Sequence, residues 1–313
     1  MTTFTDLVGC SLPVQQAAMS GIATPRLAAA VAEAGGLGML GVGRPTIARV
    51  VADLDELDRL TERPVGVGLL VEFLEPEILE VVVDRRHIIE FFWGWPDPSL
   101  VPADHVVGWQ VGSVDEARAA VDAGCRYIVV QGIEAGGHVR GVTERDELLA
   151  TTRLAVGDDV AIVAAGGIGT AADVRAALER GADGVRVGSR FVAADESDAH
   201  DRYVELLTDS VGTDTELSEA FWVGWPDAAH RVLTSAVDAS GDGADVIGRM
   251  PGPDGSMRPV PRFFVSPPTR EFDGNIDAMA LYAGMGIDAI TGRVPAAEIL
   301  ADLTSDLPGQ TGR

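Results

Sequence analysis

Short runs of β-branched and aromatic residues alternate with alanine-rich, amphipathic segments from the amino terminus of this chain to Val187. This alternation predicts parallel strands joined by helices, because a helical crossover is the usual link between neighbouring parallel strands. The predicted strands cover residues 14–17, 38–42, 64–71, 88–92, 106–111, 127–130, 161–165 and 184–187. Eight such units favour an α/β fold of the TIM (β/α)8 barrel type over an open, doubly wound sheet.

Helices are predicted between most of these strands. Thr24 followed by Pro25 is typical of a helix start, since threonine caps the first free N–H groups and proline fits the first turn. Further helices are expected over residues 46–60, 75–84 and 113–124. The fourth unit is the exception, because only residues 97–104 separate its strand from the next, and their prolines leave room for a stub helix at most.

The alternation ends after Val192. Residues 198–239 are expected to form helices with intervening turns, and residues 241–268, rich in glycine and proline, a long loop. Two closing helices are expected at 273–285 and 295–303. A long loop in a compact protein is usually functional, so this part of the chain is expected to lie over the site.

These boundaries predict a barrel made of residues 1–195 together with 272–305. Residues 196–271 would form a smaller, mostly helical cap over the active site, and residues 306–313 a flexible tail. The site is expected at the carboxyl ends of the strands, because barrels of this kind carry their functional loops there.

The charge balance excludes several classes of function. The chain of 313 residues has 48 acidic and 24 basic residues, which gives a net charge of −24. Such a surface repels nucleic acid and anionic membranes, so neither is expected as a partner. Every basic residue is arginine, which excludes a Schiff-base lysine, a pyridoxal phosphate anchor and a phosphate-loop lysine.

The remaining composition argues against metal sites, disulfides and membrane insertion. Cys10 and Cys125 are far apart and belong to no CxxC pair, and the five histidines show no metal-binding spacing. Arginine, aspartate and glutamate interrupt every apolar run before it reaches the roughly 18 residues of a membrane span. The amino terminus lacks the pattern of a secretory signal, so the cytoplasm is the expected location.

Two glycine-rich turns are predicted at the carboxyl ends of the last two strands. Gly166 and Gly167 follow the seventh strand and open a helix, and Gly188 and Ser189 follow the eighth. Backbone N–H groups in such turns bind anions without a lysine, and barrels commonly hold phosphate there. Arg190 is either an additional clamp on the phosphate or a member of a surface ion pair.

A third glycine-rich loop, from Gln131 to His138, follows the sixth strand. A histidine at this end of a barrel is a natural general base near neutral pH or a group that polarises the substrate, and a structural histidine is the alternative. Gln131 is placed to exchange hydrogen bonds with a planar heterocycle, while Glu134 either orients the histidine or caps the loop.

Small residues follow the first strand at the same end of the barrel. Ala18 and Ser20 allow a flat ring to lie against the backbone, and Met19 offers a polarisable apolar contact. This segment is therefore either a wall for the same heterocycle or, as a methionine at a strand end more often is, part of the core.

Taken in order, these segments resemble one known family. The nitronate monooxygenases, formerly called 2-nitropropane dioxygenases, have segments similar to QAAMSG, AEAGGLGMLG, QVGSVDEA, QGIEAGGHVRG, AAGGIGT, GVRVGSRF, YAGMG and PAAEIL. The resemblance covers nearly the whole chain. It implies a TIM barrel with a smaller helical cap, non-covalently bound FMN, and oxidation of alkyl nitronates by O2 to carbonyl compounds and nitrite, with nitroalkanes as further substrates.

The resemblance also implies roles for individual residues. His138 would be catalytic, either taking the α-proton of a neutral nitroalkane or holding the nitronate anion. Contacts with the flavin or its phosphate are implied for Ala18, Met19, Ser20, Gly68, Gln131, Gly136, Gly137, Gly166, Gly167, Gly188 and Ser189. The substrate side would be closed by Tyr282 and Met285. Gly68 and Met285 depart from the family, in which asparagine and glutamine are common at these positions.

Two alternatives share the same motifs. An FMN- and NAD(P)H-dependent reductase of the enoyl-ACP reductase type has a similar EAGGH and AAGGI pattern, because the shared residues bind the shared cofactor. A flavin-binding protein without turnover is the third interpretation, and the presence of His138 disfavours it. The expected partners are a small-molecule substrate and O2, and the expected assembly is a homodimer.

Overall fold

The computed structural model describes residues 3–241, 243–252 and 255–307, and its central element is a parallel sheet of eight strands. Strands are numbered along the chain, and the two-residue strand β7 (Gly137–His138) lies outside this sheet. The eight strands are β1 (Val14–Gln16), β2 (Gly38–Val42), β3 (Val65–Leu70), β4 (Ile88–Phe92), β5 (Val106–Val111), β6 (Tyr127–Gln131), β8 (Ala161–Ala165) and β9 (Gly184–Val187). They match the eight predicted strands closely.

The sheet closes into a barrel. Neighbouring strands pair in the order β1-β9-β8-β6-β5-β4-β3-β2, and every pair is parallel. The last gap is closed by the backbone of Leu37, whose carbonyl accepts from Gln16 at 3.0 Å and whose N–H donates to Val14 at 2.9 Å. The predicted TIM barrel is therefore confirmed.

Helices join the strands and cover the barrel. They are α1 (Phe4–Val8), α2 (Pro25–Glu33), α3 (Ile47–Leu60), α4 (Pro76–Arg85), α5 (Val114–Asp122), α6 (Arg145–Val156), α7 (Ala171–Glu179), α8 (Ser189–Val192), α9 (Asp201–Thr208), α10 (Thr234–Gly241) and α11 (Ala296–Thr304). The Thr24 hydroxyl accepts the N–H of Leu27, which confirms the predicted start of α2. Between β4 and β5 a 3₁₀ turn, Pro98–Leu100, stands where the prolines left room for a stub. No helix in the described ranges is long and apolar enough to cross a membrane.

The barrel interior is filled at the amino ends of the strands. Phe4 of α1 is fully buried, and its ring meets that of Tyr127 edge-on with 5.8 Å between the centroids. Tyr127 lies across Gly108, where an added Cβ would come within 2.1 Å of its ring. Aliphatic side chains, among them Met39 and Val163, complete this plug. A ligand inside the barrel is thereby directed to the carboxyl ends of the strands.

The part of the chain predicted as a mostly helical cap is mixed instead. It contains α9 and α10, and also most of two small antiparallel sheets. In the first of these sheets, β10 (Thr215–Ser218) pairs with β11 (His230–Leu233), and β11 pairs with β7. In the second, β12 (Val246–Pro251) and β13 (Met257–Pro261) form a hairpin. The predicted long loop is therefore wrong over this hairpin, and the predicted helices are wrong over β10 and β11.

These strands have little of the signal by which strands are predicted. In β12 and β13, polar and apolar residues do not alternate along the strand. Most of these residues are also exposed or half-buried. The hairpin also contains Gly248 and Pro259, residue types that strands usually lack. Pairing with distant segments, and not local propensity, therefore determines the structure here.

The last predicted helices have different outcomes. The helix predicted over residues 273–285 is wrong: β14 (Asp273–Gly274) pairs with β12 and a 3₁₀ turn, Ile276–Ala278, follows. The helix predicted over residues 295–303 is confirmed as α11. Most of the predicted tail, residues 308–313, lies outside the described residues.

Candidate active site

The loops at the carboxyl ends of the strands enclose a cavity of about 840 Å³. Its walls combine the loops after β1, β2, β6, β8 and β9 with the hairpin of β12 and β13. The residues predicted for the site that line this cavity are Ala18, Met19, Ser20, Gln131, Gly136, Gly137, His138, Gly166, Gly167, Gly188, Ser189 and Tyr282. Because distant loops meet here, the cavity is the candidate active site.

Two predicted site residues are placed elsewhere. Gly68 lies in β3 beneath Ala18, and a Cβ added to it would be 2.3 Å from the Cβ of Ala18. An asparagine at this position would therefore displace Ala18 from the cavity wall. Met285 is 41% exposed, and its backbone N–H donates to the Glu134 carbonyl at 2.9 Å. Met285 thus contacts the loop of His138 through its backbone.

Three glycine-rich loops pack against each other with their backbones in contact. Gly166 and Gly167 have φ angles of 113° and 66°, in the region that glycine adopts without strain. A Cβ on Gly136 would be 2.5 Å from the backbone nitrogen of Gly284. The same nitrogen donates to Ser189 Oγ at 3.0 Å. The loops after β6, β8 and β9 are thereby held together with residue 284 beside the cavity.

Two charged residues whose roles the sequence left open have structural partners. Arg190 is buried, and its guanidinium donates to Asp302 at 2.8 Å and to the Gly169 carbonyl at 2.5 Å. It therefore belongs to an ion pair. The Glu134 carboxylate accepts the backbone N–H of Arg145 at 3.0 and 3.1 Å, at the start of α6. Of the two roles considered for Glu134, orienting the histidine or capping the loop, the structure shows the capping contact.

His138 is held by backbone and aromatic contacts. It belongs to β7 and lies opposite His230 of β11, and Gln131 Nε2 donates to its carbonyl at 2.9 Å. Its imidazole stacks on Trp225, with 4.0 Å between centroids and 26° between planes. The ring of Tyr282 lies 5.5 Å away. The imidazole is thus enclosed on most sides and keeps a small face toward the cavity.

This enclosure keeps His138 neutral. Burial, with a smaller effect of the neighbouring His230, lowers the pKa of His138 from 6.5 to about 3. Its Nε2 is buried, with no hydrogen-bond partner among the described residues. Burial also lowers the pKa of His230, whose Nδ1 donates to the Ala228 carbonyl at 2.8 Å. At pH 7 the His138 ring is therefore uncharged, with one N–H donor and one acceptor nitrogen.

The lowered pKa predicts a loss of stability in mild acid. Between pH 6.5 and pH 3 the unfolded chain binds a proton at His138 that the folded chain does not, so the free energy of unfolding falls as the pH falls below 6.5. At pH 5 the loss amounts to about 2 kcal/mol. We expect His138→Phe to remove this loss, measured by urea unfolding at pH 7 and pH 5. The exposed His87 provides the control: His87→Gln should keep the wild-type difference, and a wild-type difference in His138→Phe would contradict the burial of a neutral ring.

The sequence-based prediction missed the aromatic residues around His138. Trp93 directly follows β4 and has a φ of 59°, a left-handed conformation that is rare for a bulky residue. Its ring lies 4.9 Å from that of Trp225 and 5.8 Å from that of His138. Position gave a usable signal for Trp93, because it follows a strand at the end where barrels carry their sites. Trp225 lies in the cap, where no predicted strand pointed to it.

Polar side chains of the barrel interior form the floor of the cavity, and these were missed as well. Gln110 of β5 and Arg186 of β9 line the cavity, and each is 7% exposed. Arg186 pairs with Glu90 of β4, which is buried. Each of these residues stands among apolar neighbours in its strand, so only the three-dimensional arrangement brings them together.

Comparison with known proteins finds relatives along the whole chain. The family model described as nitronate monooxygenase matches residues 1–86 and 77–237. A nitronate monooxygenase of Pseudomonas aeruginosa is 33% identical, with 98% of this chain and 99% of that protein covered. A (3aS,4S,5R,7aS)-5-hydroxy-7a-methyl-1-oxo-octahydro-1H-indene-4-carboxyl-CoA dehydrogenase of Rhodococcus jostii is 33% identical over 75% of this chain and 66% of that protein. The solved structure of a nitroalkane oxidase from Streptomyces ansochromogenes matches with a TM-score of 0.77 and 27% identity, over 98% of both chains.

Proposed function

The chain belongs to the nitronate monooxygenase family, and from this premise we propose that it uses FMN and O2 to oxidise alkyl nitronates to carbonyl compounds and nitrite. The observation that carries the proposal is the position of His138, stacked on Trp225 at a cavity lined by most of the residues expected to contact flavin. The relatives named nitronate monooxygenase and nitroalkane oxidase support the same class of substrate.

The cavity has the features that FMN requires. The turn at Gly166 and Gly167, with left-handed φ angles, supplies backbone N–H groups for the phosphate, together with Gly188 and Ser189. A Cβ added to Gly188 would lie 3.5 Å from the Ala17 Cβ and 3.8 Å from the Met19 Sδ, ordinary contact distances that support space for a ligand beside this residue. A volume of about 840 Å³ is in the range of cofactor sites. Bound FMN would supply the electron transfer that no side chain of the cavity provides.

His138 is suited to holding a nitronate anion and not to removing a proton from a neutral nitroalkane. A group with a pKa of about 3 is unprotonated at pH 7 and is a weak base. A nitronate has already lost its α-proton, so it needs a hydrogen-bond donor. The neutral imidazole provides one in an enclosed site, where a hydrogen bond to an anion is strong. The bound anion would in turn raise the pKa of His138 and keep its N–H in place.

The walls beside His138 favour an apolar substrate. The Trp225 ring is buried against the imidazole. The Tyr282 hydroxyl donates to the Val265 carbonyl at 2.5 Å, which commits its proton to the protein. Phe264 of the cap adds a further apolar surface. Such walls suit the alkyl group of a nitronate, and they support the assignment of Tyr282 to the substrate side.

Anaerobic stopped-flow spectroscopy of the FMN-loaded protein tests this function. Mixing with propyl-2-nitronate is expected to bleach the flavin absorbance, and mixing with NADH or NADPH is not. Addition of O2 should then restore the absorbance, and nitrite should be released. Rapid bleaching by a nicotinamide alone would overturn the proposal in favour of a reductase. A protein that cannot be loaded with flavin would remove the basis of the proposal.

A further inference from the structure

We propose that Gln110 binds the pyrimidine edge of the flavin through its carboxamide NH2 group, and that Arg186 and Glu90 are positioning residues that fix this orientation. The inference rests on the proposed function, because it places FMN in the cavity. It assigns a cofactor contact to strand β5, where the sequence analysis placed none.

Arg186 is held at the floor of the cavity by buried partners. Its Nε and Nη2 donate to Gln15 Oε1 at 3.2 and 3.1 Å, and Nη2 also pairs with the Glu90 carboxylate. Glu90 in turn accepts from Gln15 Nε2 at 2.9 Å and from the Tyr127 hydroxyl at 3.1 Å. These contacts tie β9 to β1, β4 and β6. The guanidinium cannot turn away without leaving the buried charge of Glu90 unpaired, which is strongly unfavourable.

Arg186 fixes the orientation of the Gln110 carboxamide. Its Nη1 donates to Gln110 Oε1 at 2.5 Å. A guanidinium carries donors only, so the amide atom that faces it must be the oxygen. The NH2 group is therefore the other arm of the amide, and it has no partner among the described residues. Because Gln110 lines the cavity, this NH2 group is presented to a ligand there.

The other glutamine of the cavity wall is committed to protein contacts. Gln131 Nε2 donates to the His138 carbonyl at 2.9 Å, and its Oε1 accepts the backbone N–H of Arg140 at 3.5 Å. Both ends of its amide thus shape the loop of His138. Of the two glutamines that line the cavity, Gln110 is the one whose NH2 group makes no hydrogen bond among the described residues.

Hydrogen-bond donors on the floor of the cavity bind acceptor atoms of the flavin, and they bind more strongly when those atoms become more negative. The Gln110 NH2 group presents N–H donors to the cavity, while the Gln110 oxygen is occupied by the Arg186 guanidinium. The carbonyl oxygens and ring nitrogens at the pyrimidine edge of a flavin are acceptors, and they become more negative when the flavin is reduced. Hydrogen bonds to charged groups are the stronger ones. The floor therefore binds reduced FMN more tightly than oxidised FMN and raises its reduction potential.

The ratio of the FMN dissociation constants in the reduced and oxidised states tests the inference. Gln110→Met keeps the length of the side chain and removes the donor. We expect the ratio Kd(reduced)/Kd(oxidised) to rise about tenfold, which equals a fall of about 30 mV in the two-electron reduction potential of the bound flavin. Titration with oxidised FMN and anaerobic equilibration with a reference dye give the two constants.

Gln131→Met is the comparison variant: because the Gln131 NH2 group donates to the His138 carbonyl, this change should raise the ratio less than Gln110→Met does. Gln110→Glu is the second variant: its carboxylate keeps the contact with Arg186 but presents an oxygen to the cavity, so the ratio should rise further. A wild-type ratio in both Gln110 variants would overturn the inference and leave the nitronate function standing. If the wild-type protein binds no FMN, the inference and the proposed function are both wrong.

Discussion

His138→Ala is expected to lower kcat/KM for propyl-2-nitronate about 10- to 100-fold while FMN stays bound. The variant loses the N–H that holds the anion, and a hydrogen bond to a charged group contributes roughly 1.5–3 kcal/mol. FMN should remain because its phosphate is assigned to the loops after β8 and β9, and His138 lies on β7. Nitrite release gives the kinetics, and the absorbance of the purified variant gives its FMN content.

His138→Gln is the matched variant, because its amide keeps an N–H donor and should recover part of the lost kcat/KM. The wild-type protein should also turn over propyl-2-nitronate faster than neutral 2-nitropropane, since His138 is a weak base. Faster turnover of 2-nitropropane than of propyl-2-nitronate would contradict this role of His138. If His138→Ala lost only the turnover of 2-nitropropane, the histidine would be a general base and not a donor to the anion.

Gly136→Ala is expected to destabilise the fold by about 3 kcal/mol. The new Cβ would lie 2.5 Å from the Gly284 nitrogen and 2.7 Å from the Ala283 carbonyl carbon, and neither backbone atom can rotate away. The loop after β6 would have to separate from residues 283–284. At this chain length the loss corresponds to a fall of about 5–10 °C in Tm, which circular dichroism on heating would measure.

Substitutions at two other glycines distinguish the cost of a steric clash from the cost of backbone strain. Gly241, at the exposed end of α10, has no atom of the described residues beyond its own helix and chain neighbours within 4 Å of an added Cβ, so Gly241→Ala should unfold near the wild-type Tm. Gly137 has the same open surroundings but a φ of 75°, so Gly137→Ala should cost only about 1–2 kcal/mol. A wild-type Tm for Gly136→Ala would contradict the backbone contact between the two loops.

The barrel could be predicted because its signals are local. Strands such as β3 are nearly continuous apolar runs between polar segments, and Thr24 with Pro25 marks a helix start within two residues. The cap could not be predicted in the same way. Its strands pair with segments far away in the sequence, as β11 does with β7, so their neighbours and not their own residues decide their conformation.

The residues of the candidate site also divide into those with a local sequence signal and those without one. Gly166 and Gly167 could be predicted because a glycine-rich turn after a strand has a local reason to exist. Gln110, Arg186 and Trp225 could not, because each acquires its role from residues brought beside it by the closed barrel and the cap. The Gln131 amide shows the limit of reasoning by residue type, since its Nε2 bonds to the backbone of His138.

The pairing of β11 with β7 links the opening of the cap to the displacement of His138. Opening the cap far enough to break this pairing would release His138 from its position, because the residue lies within the paired register. Segments joined in this way open and close as one cooperative unit. The position of His138 therefore depends on the pairing of β11 with β7, and local unfolding of this small sheet would change the geometry of the candidate site.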